Sequence, residues 1–470
     1  MLLQRGSRIL LAAALTLSGA QAEAHGFGER YELPLPLALF LSASGLVVAV
    51  SFALMALFLR PGAAQRGTWR LRLDGNAIGK FLAARGLAVG LQVAGVAIYA
   101  LVVAAGLFGD QRAFKNIAPV MVWVVTWVGL AYVAALAGNL WNLVNPLSTL
   151  FRWFGGERLA LARPYPSPLG QWPAVALFLA FAWLELVSPD ADDPRALAIV
   201  ILAYSALTWT GMLLFGCDAW LRNGELFSVV YGYLASFAPL EVRATGDRRE
   251  LSLRPYAAGL LRREPLPPSA IVMVVLVLAA VSFDGFLETP AWATLVEQLG
   301  GETKLLKSLG LLAAPLLFLA AYLAACSASA HLGGAPRGSL ARLAGLFVLT
   351  LVPIAIAYHI AHYLSFFLAA AQYLGPLASD PFGRGWDLFG GARQFIRPTV
   401  IDARTVWYVS VAAIVIGHVI AVMVAHRVAL SEFASRRNAL RSQYPLVALM
   451  VAYTMTSLWI IAQPIVTGER

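Results

Sequence analysis

Charge and cysteine are the two things of which this sequence has least. Only 13% of its 470 residues are charged, while 60% are hydrophobic, and the two cysteines are Cys217 and Cys326. So little charge excludes an ordinary soluble globular protein. The cysteines show no CxxC or other ligand spacing, so we expect no disulfide framework.

Familiar nucleotide-binding and catalytic motifs are also missing. The sequence contains no P-loop, no GxSxG, no HExxH and no dinucleotide-binding glycine pattern. The net charge of +10 comes from lysines and arginines that are spread over many loops. They form no basic patch interleaved with aromatic residues, so we predict no nucleic-acid partner.

Long apolar stretches recur along the whole chain. A stretch of roughly 18 residues or more can cross the hydrocarbon core as a helix, whose backbone groups are satisfied internally. The sequence therefore predicts an all-α, polytopic transmembrane helical bundle with the lipid bilayer as its surroundings. About ten spans are expected, at 35–59, 81–108, 117–138, 171–187, 196–215, 270–287, 305–330, 340–374, 406–425 and 445–463.

The ends of the chain and the loops predict an orientation. Residues 1–24 have the basic start, short apolar core and Ala22-Glu23-Ala24 ending of a secretory signal peptide. Arginine concentrates in every second loop, which the positive-inside rule places in the cytoplasm. We therefore predict one transmembrane domain, 25–470, with both ends outside, a cytoplasmic segment at 216–269 and a periplasmic cap at 375–404. The predicted location is the bacterial inner membrane.

Three histidines lie inside predicted spans. His359 and His362 are three residues apart in one span, and His418 lies in the next. At 1.5 Å per residue, His362 lies ~18 Å and His418 ~16 Å below the outer end of its span. We therefore expect all three at one depth. Three imidazoles with an open position favour Zn, Cu or Fe, and hydrogen bonds between helices without a metal are the alternative.

Histidines elsewhere suggest two additions. Cleavage after Ala24 would leave His25 as the first residue, whose amine and imidazole together can chelate copper, so His25 is a fourth candidate metal ligand. Haem is the alternative cofactor, because His418 with His359 or His362, and His426 with His331, have the spacing of axial pairs stacked across a bilayer.

Acidic residues near the outer ends of spans complete the candidate site. Glu185 and Asp284 are the candidate catalytic residues, which orient a histidine, complete a ligand set or act as a general base. Solvation at the interface is the alternative for both, and for Glu288. Asp380 and Asp387, in the cap, are expected to serve turn formation, and closing over the site or binding a metal of their own is the alternative. Asp218, Arg222 and Glu225 are expected to form an ionic network on the inner side.

Several stretches give the chain a resemblance to a known family. It resembles bacterial polytopic membrane proteins that carry the name fenitrothion hydrolase. The most specific stretch is Asp-Pro-Phe-Gly-Arg-Gly-Trp-Asp at 380–387. The resemblance extends over most of the chain, and its other parts are 25–31, 33–34, 138–141, 145–146, 220–222, 224–225, 227–228, 282–285, 417–418 and 425–427.

The resemblance implies hydrolysis of an organophosphate triester at its aryl–oxygen–phosphorus linkage. Together with the histidines, it leads us to expect a membrane-embedded, metal-dependent hydrolase acting on a small hydrophobic substrate. A transporter or channel that relays protons through the same histidines and carboxylates is the second expectation. A haem- or copper-binding redox protein is the third.

Overall fold

The computed structural model describes residues 33–58, 69–73, 75, 77–82, 84–245, 248–391, 394–397 and 399–466. The predicted signal peptide and His25 therefore lie outside the described residues. The predicted helical, polytopic architecture is confirmed: within the described part, ten helices are long and apolar enough to cross a membrane. They are α1 (Leu37–Phe58), α2 (Arg85–Phe108), α3 (Ile117–Leu136), α4 (Ser167–Leu186), α5 (Pro194–Phe215), α6 (Pro268–Leu287), α7 (Thr303–Leu332), α8 (Leu340–Ser379), α9 (Ala403–Glu432) and α10 (Arg436–Gln463).

Shorter elements lie between the spans. The short α-helices are Ala77–Leu82, Trp141–Val144, Pro146–Trp153, Gly156–Leu159, Cys217–Asn223, Leu226–Ala235 and Pro290–Leu299. Single 3-10 turns occur at Ala113–Lys115 and Ala258–Leu260. Asn145 begins one of these helices by accepting hydrogen bonds from the amides of Leu147 and Ser148, which satisfies two of its unpaired N–H groups.

A small antiparallel sheet is the β structure found in the described residues. Its strands are β1 (Leu71–Arg72), β2 (Leu240–Thr245) and β3 (Arg248–Leu253), in the order β1-β3-β2. Leu71 pairs with Leu253, and Leu240 also pairs with Leu253 from the other side. The sheet joins the loop after α1 to the segment after α5, so these two arginine-bearing loops lie at the same face of the bundle.

The opposite face is formed by the loops that were predicted to lie outside. Asp110, after α2, donates its backbone N–H to the carbonyl of Phe382, and Ile117 donates to Pro381. Asp380 accepts hydrogen bonds from the backbone N–H groups of Arg384 and Gly385, which is the turn-forming role expected for it. Residues 380–385 of the cap therefore form a turn that packs on the ends of α2 and α3.

Two spans leave regular α-helix beside the candidate site. Val120–Gly129 of α3 is π-helical, a rare geometry that occurs frequently at functional sites. In α8 a 3-10 segment, Val348–Leu351, precedes Pro353, which has no N–H to donate to the preceding turn.

The centre of the bundle is built around α6 and α8. Almost every residue of α6 from Ser269 to Gly285 is buried, as is α8 from Leu343 to His359. Helix Leu226–Ala235, which we call the re-entrant helix, buries Val229, Val230 and Leu234 and packs on α3, α4 and α6. It therefore enters the bundle instead of lying along the membrane surface.

Candidate functional site

Four polar side chains from three spans meet in the half of the bundle nearest the face predicted to lie outside, here called the outer half. We call Glu185, Asp284, His362 and Tyr363 the outer cluster. Nε2 of His362 lies 2.9 Å from Oδ2 of Asp284. The Tyr363 hydroxyl donates to the same Oδ2 at 2.7 Å and lies 3.3 Å from Oε1 of Glu185. The single hydrogen of this hydroxyl therefore lies between two carboxyl groups and points to one of them at a time.

Helix ends place the outer cluster near the outer side. Asp284 lies one turn before the end of α6, and Glu185 is the second-last residue of α4, whereas α8 continues far beyond His362 to Ser379. Asp284 and His362 are both buried, at 7% and 8% exposure, so their charges are not dispersed by bulk solvent. A buried ionisable group needs a partner, and each of these has one in the other.

Gly285 makes the close approach of α6 to α8 possible. A Cβ atom at this position would lie 2.5 Å from the Tyr358 hydroxyl and 3.5 Å from Nδ1 of His362. The Tyr358 ring stacks on the His362 ring, with centroids 6.1 Å apart. The glycine next to Asp284 therefore admits both aromatic side chains from α8.

His359 packs among aromatic rings. Its ring packs edge-on against Trp127 and Tyr132 of α3, with centroids 5.2 Å and 5.5 Å away, and against Tyr363 at 4.8 Å. In the described structure neither ring nitrogen has a hydrogen-bond partner. Trp127 belongs to the π-helical part of α3, so the unusual helix geometry positions the wall of this aromatic pocket.

His418 is deeper than the other two histidines. The Ser410 hydroxyl donates to the carbonyl of Ala361, which places residue 410 of α9 level with residue 361 of α8. Gly417 packs against Ala357 and Pro353, two turns further in. His418 therefore lies ~12 Å inward of His362. The equal-depth prediction was wrong because the outer ends of α8 and α9 are not level. The contact between residues 410 and 361 places the start of α9, Ala403, near residue 368 of α8, well inward of the end of α8 at Ser379.

The three histidines consequently do not fit one metal site. Among the described residues no group of three or more histidine, cysteine, aspartate or glutamate side chains is arranged to hold a metal ion. The same offset in depth keeps His418 and His362 too far apart to be the two axial ligands of one haem. His426 lies further in and pairs with Gln443 at 2.9 Å, and His331 is exposed. Zn, Cu, Fe or haem binding stays a prediction.

Glu225 forms a second polar centre, in the inner half. Its carboxylate, fully buried, accepts from the indole of Trp141 at 3.0 Å, from the Tyr204 hydroxyl, and from the backbone N–H groups of Phe227 and Ser228. It begins the re-entrant helix as its cap. Asp218, which was predicted to share an ionic network with Glu225, pairs instead with Arg152 at 2.8 Å.

Sequence reasoning did not assign roles to several residues of these centres. Tyr358 and Tyr363 flank the histidines and could have been marked by adjacency, since hydroxyl groups in an apolar span need partners. Tyr453, on α10, bonds to Ser282 of α6 at 2.5 Å. No local signal marks Tyr453, because its partner lies 171 positions away.

Comparison with protein-family models, curated proteins and solved structures gives no match. The resemblance to the proteins named fenitrothion hydrolase therefore stays a prediction.

Proposed function

We propose that this multi-pass membrane protein moves protons across the membrane, and that the outer cluster takes them up from the outer side. The observation that carries the proposal is the sharing of Asp284 Oδ2 between His362 and Tyr363, with Glu185 on the same hydroxyl. Ionisable residues in membrane spans characteristically mark ion pathways and proton relays.

The outer cluster has fewer hydrogen-bond donors than acceptors, which favours a mobile proton. An ionised carboxylate only accepts hydrogen bonds, and Tyr363 has a single hydrogen to give. When that hydrogen points to Asp284, a proton on Glu185 restores the hydrogen bond between the Glu185 carboxyl group and the Tyr363 oxygen, 3.3 Å away. Moving the proton from one group to another thus needs only rotation of a hydroxyl group or a short proton transfer. The oxygen and nitrogen atoms stay in place.

Glu288 connects the cluster to the outer side. It follows the end of α6, one turn beyond Asp284. Burial raises the pKa of the Glu288 carboxyl group to about 7, while the nearby His362 opposes this rise and Asp284 adds to it. A carboxyl group with that pKa gains and loses protons near neutral pH, as a donor to the cluster must.

Proton flux into vesicles tests the proposal. Purified protein is reconstituted with a pH-sensitive dye inside, and a potassium gradient with valinomycin draws protons inward. Wild-type protein should acidify the vesicles, whereas Asp284→Asn and His362→Gln should lower the initial rate at least tenfold. Glu297→Gln, an exposed carboxyl group on helix Pro290–Leu299, is the matched control and should leave the rate unchanged. Wild-type flux equal to that of protein-free vesicles would overturn the proposal.

Hydrolysis is the second candidate, and the Asp284–His362 pair is the observation that favours it. A carboxylate that holds one nitrogen of a buried imidazole is the arrangement a general base uses to activate water. Together with the resemblance described above, this points to an aryl phosphotriester as the substrate. In this candidate, His362 held by Asp284 is the general base.

An assay for release of a coloured phenol from an aryl phosphotriester distinguishes hydrolysis from proton transport. The Zn, Cu, Fe and haem contents are measured on the same sample. A hydrolase should release the phenol with multiple turnovers and lose activity in His362→Gln. A proton pathway should show release no faster than buffer, together with vesicle acidification.

A further inference from the structure

Two buried polar atoms inward of the outer cluster lack hydrogen-bond partners. Within the described part of the chain, the Tyr358 hydroxyl and Nε2 of His418 have no hydrogen bond, although both residues are only 1% exposed. Leaving such a group unsatisfied destabilises the folded protein. Buried groups of this kind are normally satisfied by internal water.

The neighbouring side chains arrange these atoms in a row. The Tyr453 hydroxyl bonds to Ser282, and the Tyr358 hydroxyl contacts Gly285, one turn further along α6. Positions three apart on a helix are separated by about 5–6 Å. Two hydrogen bonds of about 2.8 Å through one water molecule span that distance. The Tyr453 ring lies 5.8 Å from the His418 ring, which continues the row inward.

The tautomer of His418 gives the row a direction. Nδ1 of His418 lies 2.8 Å from the carbonyl oxygen of Ile414. A carbonyl only accepts, so Nδ1 carries the hydrogen and Nε2 of the neutral ring holds a lone pair. His418 is thus prepared to receive a proton at Nε2.

We propose that Tyr358, Tyr453, Ser282 and His418 form a hydrated proton relay that carries protons from His362 toward the inner half of the membrane. Each hydroxyl or water accepts one proton and passes on another, so no bond beyond O–H and N–H changes and no co-reactant is needed. The relay rests on the proposed function, since it supplies the inward path for protons taken up by the outer cluster.

Tyr358→Phe is the decisive variant because the hydroxyl it removes makes no hydrogen bond within the described structure. The thermal midpoint should be unchanged or slightly raised, while vesicle acidification should fall at least tenfold. Tyr322→Phe is the matched control. It removes a buried hydroxyl that donates to Ala344 at 2.6 Å, outside the relay, so it should lower the thermal midpoint and leave the flux unchanged.

Failure of the relay and failure of the proposed function give different results. If His362→Gln abolishes flux while Tyr358→Phe keeps the wild-type rate, the relay is wrong and the outer cluster stands. A second readout does not depend on transport: water-edited nuclear magnetic resonance of protein labelled with ¹⁵N-histidine, with the His418 signal assigned by its loss in His418→Gln. Magnetisation transfer from water to the His418 ring supports the relay, and a dry ring overturns it whatever the flux.

Discussion

At the scale of single residues, the site depends on a few contacts between polar side chains inside the bundle. Asp284 matters because His362 and Tyr363 both reach one of its oxygens. Gly285 matters because any side chain there would displace Tyr358. Glu288 differs from these in lying at the outer end of α6, where its titration should be visible in stability measurements.

We expect Glu288 to make the protein less stable as pH rises from about 4.5 to about 7, the ordinary and the folded-state pKa of this carboxyl group. In that window the folded protein keeps the proton and the unfolded chain has lost it, so raising the pH favours unfolding. A shift of this size is worth at most ~3 kcal/mol. Glu288→Gln should therefore flatten the pH dependence of the thermal midpoint in detergent between pH 4.5 and 7.

The exposed Glu297→Gln variant provides the comparison for this measurement. Its pH profile should follow that of the wild type. A Glu288→Gln profile identical to wild type would show that the Glu288 carboxyl group is solvated in the folded protein.

At the scale of elements, the re-entrant helix is held by one carboxylate. Glu225 accepts from two backbone N–H groups of that helix and from side chains of two neighbouring segments, Trp141 and Tyr204. The helix therefore takes its position from a buried polar centre as well as from apolar packing. Tyr231 on the same helix donates to the carbonyl of Thr126, in the π-helical part of α3. The inner centre and the aromatic wall around His359 are thus mechanically connected.

Replacing Glu225 with glutamine should destabilise the protein by about 2–4 kcal/mol, because an amide group directs N–H toward donors that need an acceptor. Denaturation of the purified protein in mixed micelles measures the loss. Asp218→Asn is the control. Its side chain is 73% exposed in its pair with Arg152, and a pair of that kind contributes ~1 kcal/mol or less. Equal losses in the two variants would contradict a special role for Glu225.

At the scale of the whole molecule, the loops separate into two faces. The β1–β3 pairing fixes the loops after α1 and α5 on one face, and the contacts of Asp110 and Ile117 with residues 381–382 fix the other. Ten spans bring both ends of the described chain to the same side. Which face is outside follows from the positive-inside rule and stays a prediction.

Cysteine labelling checks the orientation. The two native cysteines are both buried, so they should react slowly with a membrane-impermeant maleimide. Phe389→Cys, in the cap and 80% exposed, should be labelled in spheroplasts. Arg337→Cys, exposed in the loop between α7 and α8, should be labelled only after permeabilisation. The opposite pattern would invert the topology and place the outer cluster in the cytoplasmic half.

The part of the fold that was predictable is the part that depends on local composition. Each expected span corresponds to one helix, and most ends agree within a few residues, because apolar length is a property of contiguous sequence. The longer excursions, such as α9 reaching Glu432, occur where helix continues into polar residues outside the apolar run. The irregular segments at 120–129 and 348–351 were not expected, since they depend on contacts with other helices.

The sequence by itself determined that this is a helical membrane protein, and it marked Glu185, Asp284, His359, His362 and His418 as polar groups in apolar surroundings. Only the tertiary structure decided that His362 meets Asp284, that His359 faces Trp127 and Tyr132, and that His418 lies deeper beside Tyr453. The physical reason is register. The relative height and rotation of neighbouring helices depend on close approaches such as those at Gly285 and Gly417, which join residues far apart in the chain.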